Sequence, residues 1–106
     1  MVRRGEVWLA VLDPTVGSEI QKTRPCLIVS PDELNLRLRT VLIAPMTTRS
    51  RPTPFRVPVT FQGTPGLILP EQMRSVDRKR LVKRVGKLDA PTLRAALAVL
   101  TKLFAE

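Results

Sequence analysis

Apolar residues in this chain come in short runs cut off by breakers. EVWLAVL (6–12) stops at Asp13-Pro14, CLIVS (26–30) follows Pro25, TVLIAPM (40–46) precedes Thr47, and FRVPVTF (55–61) precedes Gln62-Gly63. GLIL (66–69), MRSV (73–76) and LVKRV (81–85) follow. Each run has the length of a strand, and several are rich in Val, Ile and Leu, so the pattern predicts five or more β-strands. Pro45 and Pro58 would each remove a ladder donor from a central strand, which predicts that they mark a strand end, a bulge or an edge. The period changes in DAPTLRAALAVLTKLFAE, where Leu93, Leu97, Leu100 and Phe104 recur at i, i+4, i+7 and i+11. That spacing lays one apolar stripe along a helix, with Asp89 as its N-cap and Pro91 in its first turn. Its charge is too sparse for a helix lying on a membrane surface and predicts packing on the sheet or on another subunit. The fold expected is mainly β with a C-terminal α-helix: a single domain, 1–106, with a small, strongly bent sheet or partly open barrel.

Three segments read as loops: VGSEIQKT (16–23), TTRSRPTP (47–54) and QGTPG (62–66), the last as a hairpin connection. Loops on a rigid scaffold carry function more often than strands do, so candidate chemistry is sought there first.

Charge narrows the partners. Eighteen Lys and Arg against nine Asp and Glu give +9 over 106 residues, which favours a polyanion. The cations are clustered: five arginines and no acid lie between Arg37 and Arg56, and seven basic residues lie between Arg74 and Lys87 against Asp77 alone. Cys26 is the only cysteine, so no intramolecular disulfide forms; a buried thiol in a reducing compartment is expected. MVRRGEVWLAVL has no long uncharged apolar core, which argues against a signal peptide, and a cytoplasmic protein without a membrane partner is expected.

With no histidine and one cysteine, a His-Cys zinc site and a Ser-His-Asp triad are both unavailable. No glycine-rich phosphate loop occurs, and the nine acids are too scattered to suggest a two-metal site. A phosphodiester could still be cut in RNA, whose own 2′-hydroxyl attacks the adjacent phosphorus. The protein then supplies a proton acceptor, cations around the phosphorane oxygens, and a neutral donor. Glu19 is a candidate acceptor. Arg24 suits the second task because its planar fork donates two parallel hydrogen bonds to phosphate oxygens. Thr47 or Thr48 can provide the hydroxyl.

RRGEVWLAVLDPTVGSE (3–19), TRPCLIVSPD (23–32), VLIAPMTTRSRPTPFRVPV (41–59) and LPEQMRSVDRKRLVKRVGKL (69–88) together resemble the MazF/PemK family of toxin endoribonucleases. The resemblance runs nearly end to end. It implies an SH3-like barrel of the CcdB/MazF type, a homodimer, no cofactor or metal, and cleavage of single-stranded RNA at short motifs, in mRNA and sometimes in rRNA or tRNA. It also implies an antitoxin whose disordered, acidic tail covers the active site. Carried over by position, the resemblance makes Arg24 and Thr47 catalytic, with Glu19 as a proposed base. It assigns substrate contacts to Gln72 and Arg74, and the basic loops add Lys22, Thr48, Arg49 and Arg51. A guanidinium pKa above about 12 makes Arg24 a better charge stabiliser than acid.

One departure from the family pattern stands between Glu19 and Arg24. Many members carry glycines there, whereas this chain has IQKT, which predicts a stiffer loop with an extra cation at Lys22. Trp8 and Phe55 are possible base-stacking platforms, though both are expected in the core. Two other functions fit the same charge and fold: a non-catalytic toxin inhibiting DNA gyrase, and a plain RNA-binding barrel. Neither needs an arginine paired with a threonine.

Overall fold

A computed structural model describes residues 1–106. Seven strands are present: β1 (Glu6–Val11), β2 (Thr23–Ile28), β3 (Thr40–Thr47), β4 (Val57–Phe61), β5 (Thr64–Ile68), β6 (Arg74–Asp77) and β7 (Leu81–Lys87). Two helices, α1 (Asp32–Arg37) and α2 (Ala90–Phe104), complete the chain. The strands pair in the order β4-β5-β3-β2-β1-β7, with β6 also on β3, and every pairing is antiparallel. This is the mainly β architecture with a terminal helix that the apolar runs predict.

The runs in β2 and β3 are continuous because both faces of the sheet are covered. Leu27, Val29, Ala44 and Met46 join Val7, Val57, Val59, Ile68, Leu88 and Ala96 in one core. Their neighbours Cys26, Ile28, Val41 and Ile43 join a second core with Ala10, Leu12 and Val76. Odd and even positions of one strand thus serve different cores, as a period of two requires.

β3 has two partners on one side. Residues 40–43 pair with β6, whereas Met46 and Thr47 pair with β5. Pro45 was expected at an end, bulge or edge, but it lies inside β3, opposite Cys26 of β2. The N–H and C=O of a strand residue point to the same side, and the Pro45 carbonyl accepts from the Leu69 N–H at 2.9 Å. The missing donor therefore faces the seam where β6 gives way to β5, and no ladder bond is lost. Pro58 does lie on an edge strand, β4.

The hairpin between β4 and β5 is tighter than QGTPG suggested. Only Gln62 and Gly63 turn, with φ of 52° and 78°, the two-residue geometry whose twist matches the flanking strands. Thr64, Pro65 and Gly66 already belong to β5. Helix α1 was not anticipated. Its Asn35 is buried, donates to the Ser30 carbonyl at 3.0 Å and accepts from the Ser30 hydroxyl. Ser30 Oγ in turn accepts from the Leu42 N–H at 3.0 Å, so α1 is tied to β3 through a satisfied polar network.

α2 begins where expected. Asp89 accepts from the Thr92 N–H at 3.2 Å and from the Thr92 hydroxyl at 2.7 Å, with Pro91 in the first turn. Leu93, Leu97 and Leu100 pack on the first core beside buried Ala96. Phe104, the last member of the predicted stripe, is 74% exposed because the helix outruns the sheet.

The Thr92 hydroxyl and N–H hold the Asp89 carboxyl below its ordinary value. A lowered carboxylate pKa stabilises the fold above the unfolded-state value of about 3.9, and that contribution is lost as pH falls through the folded value. The gap in thermal midpoint between wild type and Asp89→Ala is therefore expected to shrink as pH drops from about 6 to about 3. Asp89→Asn should keep the cap but not that pH dependence. A gap constant with pH would show that Asp89 ionisation contributes nothing to the cap.

Candidate active site

β2 and β3 run antiparallel with Cys26 opposite Pro45. The pairing ends there, and its register continued by two residues would bring Arg24 level with Thr47. Directly opposed residues of an antiparallel pair project from the same face. Both side chains line one cavity of about 280 Å³, together with Thr48, Phe61, Gln62 and Thr64.

Arg24 is half-buried at the end of β2. Its Nε donates to the Gln21 carbonyl at 3.1 Å, and its two Nη groups make no hydrogen bond within the chain, so the fork is free for an anion. Thr47 is buried at the end of β3, and so belongs to the strand rather than to the loop expected at 47–54. Its Oγ1 accepts from the Arg49 N–H at 3.2 Å, which leaves the hydroxyl hydrogen free to donate. A cation with an open fork and a held hydroxyl therefore share a partly apolar cleft, where charge is screened less than in bulk water.

The floor of this cleft depends on a glycine. A Cβ added at Gly66 would come within 2.7 Å of the Thr47 carbonyl oxygen, and backbone must move to accommodate it. Gly66→Ala is expected to destabilise the protein by about 1–3 kcal/mol, as overpacking does, and to displace Thr47. Denaturant unfolding and the chemical shift of the Thr47 amide would measure both effects.

Glu19, Gln72 and Arg74 line a second cavity of about 620 Å³, with Ser18, Ile20 and Pro45. The structure thus separates Glu19 from the cleft of Arg24 and Thr47. Glu19 Oε1 accepts from the Val16 N–H at 2.6 Å. Gln72, expected to face substrate, accepts from the Ile20 N–H at 2.8 Å and reaches the Ser18 carbonyl at 3.5 Å. Arg74 donates to the Leu12 carbonyl at 3.0 Å. Lys22, Arg49 and Arg51 are exposed and line neither cavity. Lys22 sits in the left-handed region with φ of 69°, and its carbonyl accepts from the Leu12 N–H at 3.0 Å, closing the base of the β1–β2 loop.

Several other side chains resolve differently from expectation or were not anticipated. Phe55 is 54% exposed rather than in the core, because it rides on the loop after β3. Trp8 does pack on the second core and donates to Glu6 Oε1 at 3.1 Å. Arg56 grips Glu71 through Nε and Nη2 at 3.0 and 2.8 Å, tying that same loop to the 3-10 turn Pro70–Gln72. Arg80 Nη1 donates to the Val11 and Asp13 carbonyls at 3.0 and 2.6 Å. Phe61 in the first cavity and these two arginines carried no local signal, since each acquires its role from a partner distant in sequence.

Cys26 is fully buried. Burial pushes its thiol up to about 12, against the opposing pull of the Arg74 guanidinium, so it stays protonated and acts as a small apolar side chain. No group of three or more Cys, Asp or Glu side chains is placed to share a metal ion. No helix is long and apolar enough to cross a membrane.

Endoribonuclease PemK of Escherichia coli is 35% identical over 108 residues, covering 96% of this chain and 81% of that protein. The crystal structure of MazF from Deinococcus radiodurans superposes with a TM-score of 0.86 at 27% identity, covering 96% of this chain and 94% of that one. A MazE–MazF crystal structure from the same organism gives a TM-score of 0.74 at 25% identity, covering 96% and 94%. The sequence model described as PemK-like, MazF-like toxin of type II toxin–antitoxin system matches residues 3–104. With that match running over nearly the whole chain and the same fold in the solved relatives, this chain belongs to the PemK-like, MazF-like toxins of type II toxin–antitoxin systems.

Proposed function

We propose that this toxin is an endoribonuclease that cuts single-stranded RNA, with mRNA as the leading target and rRNA or tRNA as alternatives, at the cleft formed by Arg24 and Thr47. The observation that carries the reading is that those two side chains line one cavity. The ribose 2′-oxygen attacks the adjacent phosphorus, the new O2′–P bond forms and the P–O5′ bond breaks. The 2′ proton leaves to a base and a proton reaches the departing O5′. The products are a 2′,3′-cyclic phosphate and a free 5′-hydroxyl, and the reaction requires neither metal nor cofactor.

Arg24 offers two parallel donors to the phosphorane oxygens, and Thr47 adds a neutral one from its hydroxyl. Glu19 is assigned the accepting role from the neighbouring cavity: its Oε1 holds the loop and its other oxygen has no partner within the chain. Thr48 lines the cleft, while Lys22, Arg49 and Arg51 are exposed cations outside it and are assigned to hold the RNA backbone. The named endoribonuclease activity of the 35% identical relative supports this reading.

Two copies of the chain form the working unit. An antitoxin with an acidic tail restrains it, which suits the +9 charge and parallels the MazE–MazF assembly. The direct test incubates purified protein with defined single-stranded RNA in excess chelator and identifies the termini. Cyclic phosphate and 5′-hydroxyl ends are expected. RNA left intact across a range of sequences would overturn the proposal in favour of a toxin acting on a protein target.

A further inference from the structure

The β1–β2 loop is long, polar and exposed, and would fluctuate on its own. Within itself it makes few bonds: Thr15 hydroxyl to Asp13 Oδ1 at 3.3 Å, Val16 N–H to Glu19 Oε1 at 2.6 Å, Glu19 N–H to the Val16 carbonyl at 3.2 Å, and the Leu12–Lys22 closure. Three side chains from the far half of the chain hold it down. Arg74 and Arg80 take its inner limb, through the Leu12 carbonyl and through those of Val11 and Asp13. Gln72 takes its outer limb, beside the Arg24 Nε bond to the Gln21 carbonyl and the packing of Ile20 on the second core.

The Gln72 contacts have a specific form. Its Oε1 accepts from the Ile20 N–H at 2.8 Å and its Nε2 faces the Ser18 carbonyl at 3.5 Å. Ser18 and Ile20 are the two neighbours of Glu19, so one amide grips the backbone on either side of that carboxylate. A carboxamide presents an acceptor and a donor side by side, which an ionised carboxylate cannot. Gln72 itself is anchored, since it ends the 3-10 turn and its own N–H donates to the Leu69 carbonyl at 3.1 Å. That turn follows directly on β5, the strand paired with Thr47. A continuous path of hydrogen bonds thus links the loop carrying Glu19 to the strand that fixes Thr47.

We infer that Gln72 is a positioning residue: it latches the β1–β2 loop so that Glu19 is held at a fixed distance from the Arg24–Thr47 cleft. This rests on the endoribonuclease reading for its catalytic consequence, but the latch is measurable without RNA.

The experiment compares wild type, Gln72→Ala and Gln72→Glu by amide hydrogen exchange resolved at Ile20 and by single-turnover cleavage of a defined RNA. In Gln72→Ala, Ile20 exchange is expected to rise about three- to tenfold, the equivalent of one net hydrogen bond, and the cleavage rate constant to fall with little change in RNA affinity. Gln72→Glu keeps the acceptor and loses the donor, so Ile20 should remain protected. Unchanged Ile20 exchange in Gln72→Ala would overturn the latch, and lost RNA affinity in that variant would assign Gln72 to the substrate instead. Faster exchange with an unaltered cleavage rate would overturn the positioning role. If wild type cuts no RNA, the cleavage reading fails, while the exchange data still decide whether Gln72 holds the loop.

Discussion

Replacing Arg24 by alanine is expected to lower the rate of RNA cleavage by a factor of about 10²–10³, the cost of removing one preorganised donor from a developing oxyanion. The prediction follows from a fork left open by the fold: Nε is occupied by the Gln21 carbonyl, and both Nη groups remain for the phosphate. Arg24→Lys restores the charge but not the planar pair of donors, so it should recover only a small part of the loss. Folding should hardly change, because the side chain gives up one partly exposed hydrogen bond, a net effect of about 1 kcal/mol. The measurement is a single-turnover rate on a defined RNA beside a thermal midpoint. Cleavage within a few-fold of wild type in Arg24→Ala would remove this cleft as the site of chemistry.

The largest expected effect on stability lies one residue from that site. Ile68 is fully buried and sits opposite both Met46 of β3 and Val57 of β4, where three strands meet over the first core. Ile68→Ala removes apolar volume from a place whose walls are paired backbone and cannot readily collapse. A loss of about 2–5 kcal/mol is expected, or a fall of roughly 10–20 °C in thermal midpoint for a domain of this size. Ile68→Val should cost only about 0.5–1.5 kcal/mol. Chemical denaturation of both variants measures this, and equal losses would show that cavity formation does not govern the site. Because the neighbouring Leu67 pairs with Thr47, residual activity of the folded Ile68→Ala protein also reports how firmly β5 holds the hydroxyl.

The latch on the β1–β2 loop bears on the IQKT departure between Glu19 and Arg24. Lys22 adopts a left-handed conformation that a glycine would enter more easily. The chain accepts that local strain where the Leu12–Lys22 bond closes the loop and where Gln72 and Arg74 hold it from outside. The expected stiffness would thus draw on long-range tethers as well as on the residues that replace glycine.

What the sequence settled by itself was whatever rests on neighbours. Strand-length apolar runs between breakers, the 3.6-residue stripe of α2 and the Asp89 cap are short-range features, decided by chain geometry before any tertiary contact forms. Four ordered motifs sufficed for the family, and with it for proposing Arg24 and Thr47 as the catalytic pair. The fold alone decided that these two line one cavity, that Glu19 falls in a separate one, and that Pro45 sits harmlessly inside a strand. It also turned Gln72, Arg74 and Arg80 inward onto the loop, although their sequence context reads as a basic surface. Such outcomes depend on register and on partners 50 or more residues away, and a hydrogen bond across that distance leaves no periodicity in the chain to be read.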